Sequence, residues 1–229
     1  MKSFGITDKG KVRAENQDSY IIENCSRRKC VVAVICDGMG GAKAGDLASR
    51  LSCKEFVGRI YDALISSQYF AENNEKLLLE SCADANGVVY EYSGFEPDYK
   101  GMGTTLVGGP YKLSGSGITQ ITRDHSYVEE LVAMGAITKA DARKHPKKNV
   151  ITRALGVEPT VKADYYEVSL GRGDCILLCS DGLSNMVSDI EMFSAYKSAK
   201  TPEQLCRELV DLALSRGARD NVSVVAVKN

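Results

Sequence analysis

Hydrophobic positions along this chain change their period several times, and each change marks an element. SYIIEN (19 to 24) and KCVVAVIC (29 to 36) are short, largely apolar runs. They read as two paired strands joined by the polar turn NCSRR. From Ala44 to about Ser66 the spacing widens: Leu47, Leu51, Phe56, Ile60 and Leu64 recur every four or five positions, with Val57 on the same face, which predicts a helix. A second helix follows from about Asn74 to Tyr92, with Leu78, Cys82, Ala85 and Val89 on one side. GTTLV (103 to 107) opens as a β-favouring run, then stops at Gly108, Gly109 and Pro110. Further strands are predicted at ITQIT (118 to 122), KADYYEVSL (162 to 170), CILLCS (175 to 180) and NVSVVAV (221 to 227).

Capping chemistry sharpens the helical segments. Ser126 with Glu129 forms a capping box, Gly135 stops that helix, and Thr138 to Lys144 gives a short helical turn before Pro146. A last helix has Thr201 as N-cap, Pro202 at its first position, Gln204 completing a capping box and Gly217 beyond its end. Strands come in runs and helices in pairs, which predicts an α+β layered domain. No Pro- or Ser-rich linker interrupts residues 1–229, so one domain is expected.

Composition removes several function classes. The chain has 229 residues, 44% hydrophobic and 26% charged, with 29 Lys plus Arg against 30 Asp plus Glu. That balance gives no reason to expect nucleic acid or a membrane as partner. The basic run RKHPKK (143 to 148) reads as a solvated loop. No apolar run approaches the ~20 residues needed to cross a bilayer, and the N-terminus lacks a signal peptide's apolar stretch. Most of the eight cysteines sit in apolar runs, and the expectation is buried free thiols in a reducing, cytoplasmic compartment.

Three aspartates carry the candidate chemistry. Asp37 ends the apolar run VVAVIC and is followed by glycine; Asp181 follows CILLCS in the same way; Asp220 precedes the apolar NVSVVAV. Each Asp-Gly alone also reads as a turn cap. Three acids converging at strand ends require a cation. With two histidines in the chain, both outside these segments, the donors are oxygens, including the Gly38 carbonyl, and favour Mg²⁺ or Mn²⁺ over zinc. Two such ions sharing a carboxylate make a nucleophile of water at neutral pH. In KVRAENQDSY, Arg13 is a candidate phosphate clamp, and Asn16, Gln17 and Asp18 are candidates to order metal-bound water.

Taken in order, RAENQD, DGMGG, GMGTTL, ITRDHS, ITRALG, CSDGL and ARDNVSVV resemble the metal-dependent protein phosphatases of the PPM family, the type 2C Ser/Thr phosphatases, in their compact bacterial form. The resemblance implies two packed antiparallel sheets flanked by helix pairs, with a dinuclear Mn²⁺ or Mg²⁺ centre at one end. It implies that Asp37 bridges both ions and the Gly38 carbonyl binds one, while Asp181 and Asp220 hold the other. Arg13 would bind the substrate phosphate and Asp18 would hydrogen-bond metal-bound water. Residues from about 126 to 149 correspond to a flap beside the site. The implied partners are phosphoserine and phosphothreonine proteins, among them those of a bacterial Ser/Thr kinase and the kinase itself, with the enzyme a monomer.

Two departures from the pattern are visible. Met39 stands where eukaryotic members often have a histidine, so leaving-group protonation falls to water or another group. Relatives also carry a β-hairpin with a Gly-Asp-Ser-Arg motif after the Gly-Thr-Thr-Leu strand, and no such motif occurs here. About 15 to 20 residues, two strands and a turn, are missing, and with them one acid of a third metal site. The alternative expectation is therefore a pseudophosphatase or phosphoprotein-binding module impaired by that loss.

Overall fold

The computed structural model describes residues 1–66, 73–95, 97–106, 110–142 and 144–229, and the side chains of 41–43 are outside the description. The junction at 107–109 therefore lies outside the described residues. The strands are β1 (Lys2–Asp8), β2 (Asp18–Cys25), β3 (Cys30–Met39), β4 (Gly103–Thr104), β5 (Tyr111–Ser114), β6 (Gly117–Gln120), β7 (Cys175–Cys179) and β8 (Val222–Lys228). The helices are α1 (Gly41–Ile65), α2 (Asn74–Phe95), α3 (Tyr127–Ala133), α4 (Lys139–Ala142), α5 (Asp181–Ser184), α6 (Asp189–Ser198) and α7 (Pro202–Ser215). One sheet has the order β1-β8-β7-β5-β6 and the other β2-β3-β4. All pairings are antiparallel.

Alternation along the strands builds four layers. In β3, Val34 and Cys36 face Cys53, Phe56, Val57 and Ile60 of α1 and Cys82 and Ala85 of α2. Ala33 and Ile35 point the other way, onto Ile176 and Leu178 of β7 and Val225 and Val227 of β8. The opposite faces of β7 and β8, carrying Leu177, Cys179, Val222, Val224 and Ala226, pack on Leu205, Leu209, Val210 and Ala213 of α7 and on Met192 and Ala195 of α6. These strands are buried on both faces, which is why CILLC and VSVVAV read as continuous apolar runs instead of alternating ones.

The predicted N-caps form, without the return bond of a full capping box: Gln204 Oε1 accepts from the Lys200 amide instead of that of Thr201. The Ser126 hydroxyl accepts from the Glu129 amide and the Thr201 hydroxyl from the Gln204 amide. Gly135 and Gly217 have positive φ. The helix α6 was not predicted, although Ser188 and Glu191 give it a complete capping box; its few scattered apolar positions carry almost no periodic signal. The strand β1 was also missed, because Ser3, Gly5 and Thr7 break up the apolar residues of KSFGITD.

One expectation fails outright. KADYYEVSL is not a strand: among the described residues nothing pairs with it. Side chains hold its ends instead. Arg153 donates to the Lys162 carbonyl (3.3 Å), Lys112 Nζ to that of Ser169 (2.7 Å) and Asn229 to that of Leu170 (3.2 Å). The sequence has strand propensity here, but the backbone has no neighbour at ladder distance to realise it. A related shortfall affects β3, whose pairing with β4 is confined to Gly38 and Met39.

Candidate metal centre

Two pairs of adjacent strands deliver the acids to one place. Asp18 is the first residue of β2 and lies directly opposite Asp37 of β3. Asp181 starts α5, two residues after the end of β7, and Asp220 stands two residues before β8, which is hydrogen-bonded to β7. Asp37 feels the charges of Asp18, Asp181 and Asp220, so the four carboxylates share one electrostatic environment.

The glycines after Asp37 and Asp181 are not turn residues. Gly38 lies within β3, and a Cβ there would collide with the Gly45 carbonyl oxygen and sit 2.7 Å from that of Gln17. Gly182 lies in α5, where a Cβ would strike the Asn221 carbonyl oxygen. Both glycines permit backbone to press against backbone, and this close approach brings each aspartate to its neighbours. The turn-cap reading of these dipeptides is thereby excluded. Gly182→Ala forces backbone apart beside the cluster and is expected to destabilise by about 1–3 kcal/mol, a fall in Tm of roughly 2–12 °C at this size, measurable by calorimetry.

The cluster repels itself. Burial pushes the Asp37 carboxyl up to about 8, aided by the charges of Asp18, Asp181 and Asp220 and opposed by Arg13. Burial also pushes Asp18 up to about 6, against hydrogen bonds from Ser223 and Ser180. Asp181 is raised by burial and by Asp220, with Lys148, Arg13 and Asn185 opposing. Ser223 donates to Asp18 Oδ2 at 2.7 Å. Asp18 Oδ1 is buried without any partner, an arrangement that disfavours the folded state until something donates to it.

A divalent cation relieves both problems, and the donors are all oxygens. Among the described residues no three His, Cys, Asp or Glu side chains are gathered to hold an ion by themselves. An ion here must take part of its shell from backbone carbonyl and water, as Mg²⁺ and Mn²⁺ readily do.

Arg13 lies on the loop 9–17 and its guanidinium meets Asp220 Oδ2 at 2.9 Å, with half of its side chain exposed. Asn221 fastens that loop. Its amide donates to the carbonyls of Lys9 and Glu15, both at 2.9 Å, and its Oδ1 accepts from the Gln17 amide at 2.9 Å. Asn16 bonds Thr7 Oγ1 (2.8 Å) and the Asp18 amide (3.2 Å), so it shapes the loop instead of facing solvent at the cluster. The Gln17 side chain packs against Gly45.

Sequence reasoning missed four contributors: Asn221, Ser223, Asn185 and Lys148. Asn185 donates to Asp181 Oδ2 (3.3 Å), and Lys148 Nζ donates to Asn185 Oδ1 (3.0 Å). Lys148 of the basic run stays exposed, and through this contact it reaches the edge of the cluster. Its segment is closed at its base, where Ser126 bridges Ile151 and the Tyr127 amide donates to the Val150 carbonyl. For Asn221 a signal existed: an amide residue directly before a largely apolar strand has a buried polar group to satisfy.

The fold and this oxygen-lined cluster define a class, that of metal-dependent phosphohydrolases built on a double sheet. Residues 9–211 match the family model for protein phosphatase 2C. The chain is 37% identical to the serine/threonine phosphatase stp of Listeria monocytogenes serotype 4b, covering 97% of this chain and 93% of that protein. It superimposes with a TM-score of 0.88 on the serine/threonine phosphatase Stp1 of Staphylococcus aureus, at 31% identity, covering 99% and 94% of the two chains. Against the catalytic domain of PstP in complex with two manganese ions the TM-score is 0.81, at 30% identity, covering 98% and 96%. The chain belongs to the protein phosphatase 2C family and is a metal-dependent protein phosphatase of the bacterial type. The alignment with stp runs over 241 positions. Since 97% of 229 residues is about 222, about 19 of those positions have no residue of this chain opposite them.

Proposed function

We propose that this chain hydrolyses phosphoserine and phosphothreonine monoesters on proteins, using two Mn²⁺ or Mg²⁺ ions. Asp37 and the Gly38 carbonyl would hold one ion, Asp181 and Asp220 the other, with Asp37 shared. Bound there, the ions supply an activated water and neutralise charge on the phosphoryl group. The observation that carries this reading is the convergence of four carboxylates, of which Asp37 and Asp18 stay well above the ordinary carboxylate range although Arg13 opposes the rise at Asp37.

The chain's own groups then have distinct tasks. Arg13 exchanges Asp220 for two phosphate oxygens, a bidentate contact suited to guanidinium. That exchange frees Asp220 for a cation. Asp18, steadied by Ser223, accepts a hydrogen bond from water at its unpartnered Oδ1 and so orients it. Lys148 tethers the flap, residues 126–149, to Asp181 through Asn185. Residues 1–229 act as a single catalytic domain and a monomer. Its substrates are phosphoproteins, including those of a bacterial Ser/Thr kinase and the kinase itself. Eight unpaired thiols support a reducing, cytoplasmic setting, and no described helix is long and apolar enough to cross a membrane. The unmatched positions against stp fit the absence of one β-hairpin, and with it one acid of a third metal site.

Phosphate release from a phosphothreonine peptide tests the reading. Activity is expected with Mn²⁺, none after chelation, and recovery on adding the ion back; equal release with and without metal overturns it. Arg13→Ala is expected to raise KM by about 10- to 100-fold, the value of a charge-assisted pair of hydrogen bonds, with a smaller change in kcat. Steady-state kinetics over a range of phosphopeptide concentration separates the two.

A further inference from the structure

The hairpin of β2 and β3 closes on two cysteines. Cys25 is the last residue of β2 and Cys30 the first of β3, and the ladder sets them directly opposite each other. Opposed residues of an antiparallel pair point to the same face, with Cα atoms about 4.5–5.5 Å apart. A disulfide needs Cα atoms roughly 4.4–6.8 Å apart, so the backbone already has the separation that the bond requires. The thiols also bear on each other. Burial raises the Cys30 thiol above its ordinary range, and Cys25 raises it further by charge and by side-chain hydrogen bonding.

Access separates this pair from the other thiols. Residues 26–29 of the turn are exposed and Cys30 is half-buried, whereas Cys25 beneath it is buried. Arg28 draws the Cys30 thiol back down. It is held there by bonds to the carbonyls of Leu64 and Ser66 at the end of α1, both at 2.9 Å. A cation so placed favours the thiolate, which is the attacking form. Cys36 and Cys53 also touch, yet both are enclosed, and Cys82, Cys175, Cys179 and Cys206 are buried too. Cys30 is thus the one thiol of the eight that solvent reaches readily. Among the described residues no group of three His, Cys, Asp or Glu gathers to hold a metal ion, so the chemistry here is that of two thiols alone.

We propose that Cys25 and Cys30 form a redox-active dithiol, which a low-molecular-weight disulfide of the glutathione class converts to an intramolecular disulfide. The Cys30 thiolate attacks one sulfur of that oxidant, forming a mixed disulfide and releasing one small thiolate. The Cys25 thiol then gives up its proton and attacks the Cys30 sulfur, which releases the second small thiolate. Two protein thiols lose two electrons and two protons, and the small disulfide takes up both to become two thiols. In a reducing setting the pair stays as the free thiols seen here. The ladder closed by this pair runs without a break to Asp18 opposite Asp37. The cross-link therefore pins, from the turn end, the register of the hairpin that carries half of the carboxylate cluster. None of this rests on the phosphatase reading.

Peptide mapping of the intact, folded protein tests the proposal. The protein is incubated with glutathione disulfide, its remaining thiols are alkylated, and the fragments are weighed by mass spectrometry. A Cys25–Cys30 cross-link is expected, with the other cysteines alkylated. Loss of these two thiols is expected to run at least about tenfold faster than loss of Cys36 or Cys53. Cys30→Ser is expected to leave the enclosed Cys25 reduced. Cys25→Ser is expected to stop the reaction at a glutathione adduct on Cys30. The parent map decides the question whether or not the variants fold. A persistent adduct on Cys30 of the parent overturns the proposal, because it puts Cys25 out of reach. A first cross-link between any other cysteines, or no reaction at Cys25 and Cys30, also overturns it.

Discussion

Asp37→Asn is expected to abolish phosphate release, by at least about a thousandfold, because removing the shared ligand forfeits the several kilocalories that bound cations contribute to the transition state. The side chain keeps its size, so a packing defect is not the reason. A second outcome distinguishes this from misfolding. In chelator the variant is expected to be as stable as the parent or more so, since one member of a self-repelling cluster has been neutralised. Phosphate assays paired with thermal melts in chelator check both. A variant with near-parental turnover would falsify the assignment of Asp37.

The metal-free protein is expected to lose stability as pH rises from about 5 to about 8. The sign follows from the direction of the shifts. Asp37 at about 8 and Asp18 at about 6 both lie above the ordinary carboxylate value of about 3.9. A group raised on folding keeps its proton more readily in the native state. Its contribution is complete below the unfolded pKa and is lost as pH climbs through the folded one. Mn²⁺ should reverse the trend, because it binds the ionised cluster: at about a hundred times its Kd it adds about 2.7 kcal/mol. Melting curves in chelator and in Mn²⁺ across this range should therefore diverge towards high pH. Parallel curves would refute the electrostatic account of the site.

Much of this architecture was legible because local signals and global packing agree. The helix from Ala44, the caps at Ser126 and Thr201, and the apolar runs of β3, β7 and β8 all have one physical reading. Asp37, Asp181 and Asp220 stood out because a charge beside an apolar strand is costly without a partner. Legibility failed where the outcome depended on a distant neighbour. Residues 162–170 have the composition of a strand and no pairing strand among the described residues. The strand β1 has weak composition and pairs along its whole length with β8. Lys148 reads as a surface charge until the fold brings Asn185 beside it.

The fastening of the loop 9–17 by Asn221 has a consequence for biosynthesis. The bonds from Asn221 to Lys9, Glu15 and Gln17 span 212, 206 and 204 positions of sequence, and β1 waits on β8, its partner in the sheet among the described residues. A ribosome delivers the N-terminal end first, at about 5–20 residues per second. For tens of seconds Arg13 therefore has no fixed position. Only when the last strand emerges do the clamp and the carboxylates meet, so a nascent or C-terminally clipped chain should be silent towards phosphoproteins.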